Sequence, residues 1–453
     1  MNYKDKKVLV VGMARSGIAA AQLLCQNGAV VTVNDSKTAA ELGDSIAPLE
    51  GLNLRCEFGK SALDLLDGMD VLVISPGIPD TAGFVVKAKE SGIYVLGELE
   101  LASQLSRGSL ISVTGTNGKT TTVSLLGEIF RNAGKMTHVV GNIGYPFSLA
   151  AMVSKKEDVV VCEVSSFQME TADTFHPHVA VLTNITEDHL NRHGTMDVYT
   201  AMKMRTFRKQ GPDDYAIFNA DDPALTGLPK QVKSQVLMFS RKTEVERGAF
   251  VRDQVIMVNI NGEEKPICRT DEVFIPGPHN LENALAAVCA ASAMDIPVPV
   301  IRHSLKTFRG VEHRIESVRV LDGVEYYNDS KGTNVDSTIK AVQTMTKPTA
   351  IILGGYDKHC SFDPLSAEMV KSEWIRHAVL IGATADQIEA SLLKYGFTDF
   401  ERADSMEDAI LACKKVASEG WNVLLSPACA SFDMFSDYEQ RGRVFKDIVN
   451  KLA

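Results

Sequence analysis

Three doubly wound α/β units in series are the fold class that this sequence predicts, and three observations predict it. Short β-branched runs recur along the whole chain, stretches with helical spacing of apolar residues separate them, and the runs close on Gly, Ser, Asp or Pro. Such alternation builds parallel sheets with helices on their faces, and ligands then lie at the carboxyl ends of the strands. The expected division is residues 1–97, 98–309 and 310–453: a Rossmann-like unit, a central α/β unit of the P-loop ATPase type, and a second Rossmann-like unit.

In the first unit the runs are VLVVG, VVTVND, VLVISPG and IYVLG. The turn GMARSG at residues 12–17 almost matches GxGxxG, but Ala14 stands where a glycine would let a pyrophosphate approach closely. Asp35 ends the next strand about 20 residues on, where an acid can accept a ribose hydroxyl. The SPG turn carrying Ser75 and Gly77 opens on the same sheet edge, so the two turns together suit the diphosphate of a nucleotide-linked ligand. Taken alone, GMARSG fits NAD or FAD as well, and SPG fits a plain tight turn.

The central unit opens with ISVTGTNGKTT at residues 111–121, which reads as a buried strand, a glycine turn and a helix start. Gly115 and Gly118 let backbone N–H groups turn inward around an anion, Lys119 supplies a point charge, and the Thr120 hydroxyl can ligate Mg2+. The common form of this loop would need a glycine at Val113; here only Thr116 and Asn117 stand between Gly115 and Gly118, so the loop is a shortened variant. The pattern points to ATP.

Further along, Glu163 follows VVVC at a strand end, where a carboxylate can hold a phosphate-bound Mg2+ or simply close a turn. TNITEDHLNRH places Asp188, His189 and His193 after another strand, and Leu190 stands where HExxH would need its glutamate, which disfavours a zinc protease. His189 is expected to ligate a second Mg2+ or to orient the substrate, and His193 is expected at the surface. Lys203, in YTAMKMRTF, has the pattern of an exposed helical lysine. YAIFNADD continues the strand series, and residues 241–266 read as β-rich.

In the third unit AIILGG, AVLIGA and NVLLSPACAS repeat the pattern. NDSKGT at residues 328–333, Lys358 and Ser431 put lysines, hydroxyls and a carboxylate at strand ends. They could rim a site for an anionic amino acid, and caps and turns use the same residues.

Composition bounds the function. With 453 residues, 45% hydrophobic and 23% charged, the chain is an ordinary globular multidomain protein. Its net charge of −10 disfavours nonspecific binding to nucleic acid or membrane, so an anionic ligand must be held by a few placed cations and amides. The eight cysteines form no CxxC pair and are expected to be buried and reduced. The start, MNYKDKKVLVVG, is too short in apolar residues for a secretory signal, and no run reaches the roughly 18 residues of a membrane span. A cytoplasmic, monomeric small-molecule enzyme is expected.

GTNGKTT, EVSSFQ, TNITEDHL, HNLENALAA, HRIE, NDSKGTN and SPACASFDMFSDYEQRG, in that order over essentially the whole chain, resemble the Mur ligases. The resemblance implies a three-domain ATP-dependent amide ligase that activates a carboxylate as an acyl phosphate. The absence of a DNPR signature implies a member that joins D-glutamate to UDP-N-acetylmuramoyl-L-alanine. Carried over residue by residue, it implies ATP contacts for Gly115, Thr116, Asn117, Gly118, Lys119, Thr120, Thr121, Asn280, Asn283, Arg314 and Asp329. It implies UDP-substrate contacts for Ala14, Arg15, Asp35, Ser75, Gly77, Asn142 and His189, and amino-acid contacts for Lys331, Thr333, Lys358, Ser431 and Tyr438, the last where a Phe is expected. Mg2+ would be held by Thr120, Glu163, His189 and Lys203, the lysine as a CO2-derived carbamate. The catalytic set implied is Lys119, Glu163, His189 and Lys203. Folylpolyglutamate synthase shares the shortened loop, but its first domain differs from VLVVGMARSG; an NAD-dependent oxidoreductase is the rival that the first unit alone would allow.

Overall fold

The computed structural model describes residues 1–143, 145–356 and 360–453. Its first sheet contains β1 (Lys7–Val11), β2 (Val30–Asp35), β3 (Leu54–Phe58), β4 (Val71–Ile74) and β5 (Tyr94–Gly97), all parallel, in the order β3-β2-β1-β4-β5. Chain order reverses at β1, so the GMARSG turn after β1 and the SPG turn after β4 flank the crevice where open α/β sheets bind ligands. The sheet forms because VLVV and VLVI are apolar on both faces, as strands covered by helices on each side must be.

The second sheet has nine strands: β6 (Ser109–Thr114), β7 (Thr137–Gly141), β8 (Val159–Glu163), β9 (Val179–Leu182), β10 (Tyr215–Asn219), β11 (Gln235–Ser240), β12 (Gly248–Arg252), β13 (Val255–Asn259) and β14 (Glu264–Arg269). Their order is β14-β13-β12-β11-β10-β9-β6-β8-β7, parallel from β7 to β12 and antiparallel beyond, so the β-rich reading of residues 241–266 holds. β6 lies between β8 and β9, which puts the loop after it at a second reversal of strand order. The helix Lys119–Asn132 follows that loop and turns Val123, Leu126, Ile129 and Phe130 into the core at helical spacing. The Ala-rich helix Pro278–Ala293 joins the same core, its small side chains allowing close packing.

The third sheet is β15 (Glu316–Leu321), β16 (Val324–Asn328), β17 (Thr349–Gly354), β18 (Ile375–Ile381), β19 (Phe400–Arg402) and β20 (Asn422–Leu425), ordered β15-β16-β20-β17-β18-β19. Only β15 is antiparallel to its neighbour. The fully buried ILG of β17 and VLL of β20 form the centre of this sheet.

The chain divides into two compact units, residues 1–273 with 281–308, and residues 274–280 with 309–453. The first unit therefore holds two sheets. Within it Glu100, fully buried, accepts the backbone N–H groups of Asp173, Thr174 and Phe175 at 3.0, 2.7 and 3.1 Å, tying the helix Glu98–Leu105 to the segment that precedes β9. Arg205 and Arg208 donate to the Ala172 carbonyl at 2.7 and 3.1 Å from the other side.

All the described cysteines are free, but Cys56 and Cys360 are exposed rather than buried as their composition suggested. Cys56 lies on β3, the last strand of its sheet. Among the described residues, no helix is long and apolar enough to cross a membrane.

Candidate active site

The glycine loop after β6 has the geometry that the sequence required. Gly115 and Gly118 adopt φ of 141° and 85°, and a Cβ at Gly118 would stand 2.2 Å from Asn283 Oδ1. The TNIT segment clasps this loop, a role that sequence reasoning missed. The Asn117 N–H donates to Asn184 Oδ1 at 2.9 Å, while Thr183 Oγ1 and Asn184 Nδ2 donate to the Asn117 carbonyl at 2.6 and 3.0 Å. The Thr186 N–H donates to Thr116 Oγ1 at 3.0 Å. The Thr-Asn pair at a strand end was the available signal.

Lys119 turns its ammonium onto the carbonyls of Gly115 and Thr116 at 2.9 and 2.6 Å. Thr120 and Thr121 open the following helix and are buried, with the Thr121 hydroxyl fully enclosed and without a partner among the described residues. Glu163 is the strand partner of Val113, so its carboxylate stands beside the start of the loop; Oε1 accepts Asn142 Nδ2 at 2.9 Å.

Lys203 overturns its sequence pattern. It is 2% exposed, because the helix Met196–Met204 packs this face onto the loop, and its Nζ donates to the Gly115 carbonyl at 2.8 Å and lies 4.4 Å from the Tyr199 ring centre. Burial, reinforced by the Lys119 charge, holds its amine well below the usual lysine range. His193 is also buried rather than at the surface: Ser166 Oγ lies 2.9 Å from its Nε2, and Phe167 and Tyr199 flank the ring. Burial holds its imidazole below the ordinary histidine value, so it is neutral near pH 7. His189 precedes the helix Leu190–His193 with φ of 55°, so the two histidines do not share a helical face; its ring centre lies 4.7 Å from that of Phe167, the two rings tilted by 60°, and its Nε2 is 3.5 Å from Asp188.

At the first sheet, Ala14 precedes the helix Arg15–Gln26 and the Arg15 side chain is exposed. Asp35 braces the turn by accepting the N–H groups of Met13 and Lys37 at 2.7 and 3.0 Å. Ser75 Oγ donates to the Gly12 carbonyl at 2.9 Å, joining the two turns that flank the crevice, and Gly77 is exposed beside them.

In the second unit, Asp329 is fully buried at the end of β16 and accepts Ser426 Oγ at 2.7 Å. Burial pushes its carboxyl up to about 6, with the Arg314 charge opposing. Arg314 has a buried Nε with no partner among the described residues. The Lys331 ammonium lies 5.4 Å from the Tyr438 ring centre, so the aromatic at this position does meet a cation. Ser431 is buried, Thr333 follows in the NDSKGT loop, and Lys358 lies outside the described residues. Arg441 was missed: 1% exposed, it donates to Ser330 Oγ and to the carbonyls of Ser330, Cys429 and Ala430, at 3.0, 2.8, 3.1 and 3.2 Å, fastening the NDSKGT loop to the SPACAS loop. Asn280 and Asn283 are both buried on the helix Pro278–Ala293; Asn280 Nδ2 donates to the Pro276 carbonyl at 2.7 Å.

Comparison with known proteins gives matches along the whole chain. Residues 6–97 match the family described as Mur ligase MurD-like, N-terminal domain; residues 113–291 match the Mur ligase middle domain; residues 313–429 match the Mur ligase, glutamate ligase domain. The UDP-N-acetylmuramoylalanine--D-glutamate ligases of Thermoanaerobacter sp. (strain X514) and Clostridioides difficile (strain 630) are each 44% identical, over 100% of this chain and 100% of their own. Among solved structures, a pseudomurein peptide ligase type C from Methanothermus fervidus has a TM-score of 0.62 at 19% identity, covering 99% of this chain and 100% of its own. The MurF ligase of Thermotoga maritima in complex with ADP has 0.59 at 16%, covering 99% and 96%. The three domain matches run in order along the sheets described above, and the 44% identity to full-length relatives spans the whole chain: the chain belongs to the Mur ligase family.

Proposed function

We propose that the chain is the ATP-dependent ligase that joins D-glutamate to UDP-N-acetylmuramoyl-L-alanine in peptidoglycan precursor synthesis, acting as a cytoplasmic monomer. The observation that carries this reading is the convergence of Lys119 and Lys203 on one carbonyl of a phosphate-type loop, with Glu163 beside the strand that leads into it. ATP phosphorylates the terminal carboxylate, ADP leaves, the D-glutamate amine attacks the acyl phosphate, and the tetrahedral adduct collapses to an amide and phosphate. Charge neutralisation and positioning supply most of the rate.

Thr120 opens the helix that follows β6 and Glu163 ends β8, the strand paired with β6; their hydroxyl and carboxylate oxygens are a hard-oxygen set that fits Mg2+. Bound there, Mg2+ neutralises charge on the transferring phosphates. Lys119 leaves the loop carbonyls for the γ-phosphoryl oxygens, and the loop N–H groups face the phosphates. The Lys203 amine, kept neutral more readily than an exposed lysine by its burial, adds to CO2, forming an N–C bond and releasing one proton. The resulting carbamate, with His189, would hold a second Mg2+.

Asn280, Asn283, Arg314 and Asp329 are assigned to ATP, with Thr116, Asn117 and Thr121 in the loop itself. Ala14, Arg15, Asp35, Ser75, Gly77 and Asn142 are assigned to the UDP substrate, and Lys331, Thr333, Lys358, Ser431 and Tyr438 to D-glutamate. Release of ADP from ATP and Mg2+ with UDP-N-acetylmuramoyl-L-alanine, tried in turn with D-glutamate, L-glutamate, L-lysine and diaminopimelate, tests the reading. Turnover is expected with D-glutamate alone; turnover only with another amino acid overturns the assignment.

A further inference from the structure

Outside the residues already assigned, one side chain joins three segments of the first unit. Arg192 forms a two-pronged ion pair with Glu170, Nε to Oε1 at 3.0 Å and Nη2 to Oε2 at 2.6 Å. Its guanidinium carbon lies 4.7 Å from the Phe167 ring centre, and the same ring supports His189. From that fixed position Nη1 reaches the Gly77 carbonyl at 3.4 Å and Nη2 the Ile78 carbonyl at 3.3 Å. The planar fork is 17% exposed, and an arginine held by a bidentate carboxylate and an aromatic face has little rotamer freedom left.

The turn that it grips is short of donors. Pro76 and Pro79 have no N–H, the Ser75 N–H donates to the Val11 carbonyl at 3.1 Å, and the Ile78 N–H donates to the Ser75 carbonyl at 2.9 Å. The Gly77 N–H donates to no acceptor among the described residues, and Gly77 is exposed. A single amide in the turn thus remains for an anion. This N–H shares its plane with the Pro76 carbonyl, and the Gly77 carbonyl shares the next plane with the Ile78 N–H. Holding the Gly77 and Ile78 carbonyls therefore fixes the two planes that follow and limits the rotation about Gly77 that would redirect its N–H.

We propose that Arg192 is a positioning residue for the UDP substrate: locked by Glu170 and Phe167, it holds the carbonyls of Gly77 and Ile78 and so presents the Gly77 N–H to the diphosphate. The inference rests on the reading of the crevice as the UDP site. In this role Arg192 acts on the turn rather than on the substrate. Its pair with Glu170 cancels its charge, so it acts through geometry.

The test compares Arg192→Met, Arg192→Lys and Glu170→Gln with the parent chain. For Arg192→Met we expect KM for UDP-N-acetylmuramoyl-L-alanine, and the Kd for UDP by calorimetry, to rise about tenfold, with kcat and the KM values for ATP and D-glutamate within about twofold. Arg192→Lys, which keeps the charge without the fork, and Glu170→Gln, which loosens it, should each fall between. An unchanged UDP Kd in Arg192→Met overturns the proposal, as does a parallel loss of ADP and UDP binding with a lowered melting temperature, which marks a merely structural role. If the parent chain binds UDP, and Arg192→Met weakens that binding, but no amino acid gives turnover, the proposed reaction fails while the positioning role stands. Full turnover with an unaffected UDP Kd reverses that outcome.

Discussion

At the scale of single residues, burial decides what the candidate catalytic groups can do. Lys203→Ala is expected to lower kcat by several orders of magnitude while leaving the fold intact, and a small carboxylic acid should restore part of the rate; a fully active variant in the ADP-release assay rules out the carbamate role. Asp329 carries a second, independent expectation. Its folded value of about 6 lies above the unfolded 3.8, so folding favours the protonated carboxyl. That contribution is fully present below pH 4 and is lost as pH rises through about 6, which amounts to roughly 3 kcal/mol at about 1.4 kcal/mol per pH unit. Asp329→Asn should therefore flatten the fall in melting temperature between pH 4 and pH 7 while impairing ATP use. Melts that stay as steep as in the parent would show that another group is responsible.

At the scale of elements, the strand-loop-helix unit from β6 through Asn132 carries both stability and chemistry. Gly118→Ala meets two obstacles, a φ of 85° and an Asn283 oxygen 2.2 Å from the new methyl, so ADP affinity is expected to fall at least tenfold, with a stability cost on the order of 1 kcal/mol. Calorimetry with ADP and a denaturant midpoint separate the two effects. By contrast Phe130→Ala, deep in the core behind the loop, should cost about 3–5 kcal/mol through the cavity it leaves, and denaturant unfolding measures it.

The strands and the glycine loop were legible because continuous apolar runs and the GTNGKT spacing are local signals. The burial of Lys203 and His193 was not, because each belongs to a helix whose neighbours are set by the sheet topology. Arg192 and Arg441 were illegible for the same reason: Arg192 meets carbonyls 115 and 114 positions away, and Arg441 meets Ser330 111 positions away. A lone charged residue in a helix carries no local mark of such partners.

At the scale of the whole molecule, two compact units stand where three domains match the family. The first unit is tied together across its two sheets by Glu100, whose carboxylate takes three backbone N–H groups, so Glu100→Ala should destabilise that unit by several kcal/mol through those stranded donors. Residues 309–453 carry a six-stranded sheet and their own core clusters, and a fragment of that span is expected to fold and melt cooperatively on its own. Circular dichroism with heating checks this; a fragment without a cooperative transition would show that residues 274–280 are indispensable to it.

The Gly115 carbonyl, finally, is a single acceptor shared by the side-chain nitrogens of Lys119 and Lys203. Withdrawing one lysine changes the acceptor and the local charge that the other meets, so the two positions are thermodynamically linked even though they stand 84 positions apart in the sequence. Effects of replacing Lys119 and Lys203 should therefore be strongly non-additive, and the size of that departure in a double-mutant cycle is a direct reading of how strongly the two are coupled through that carbonyl.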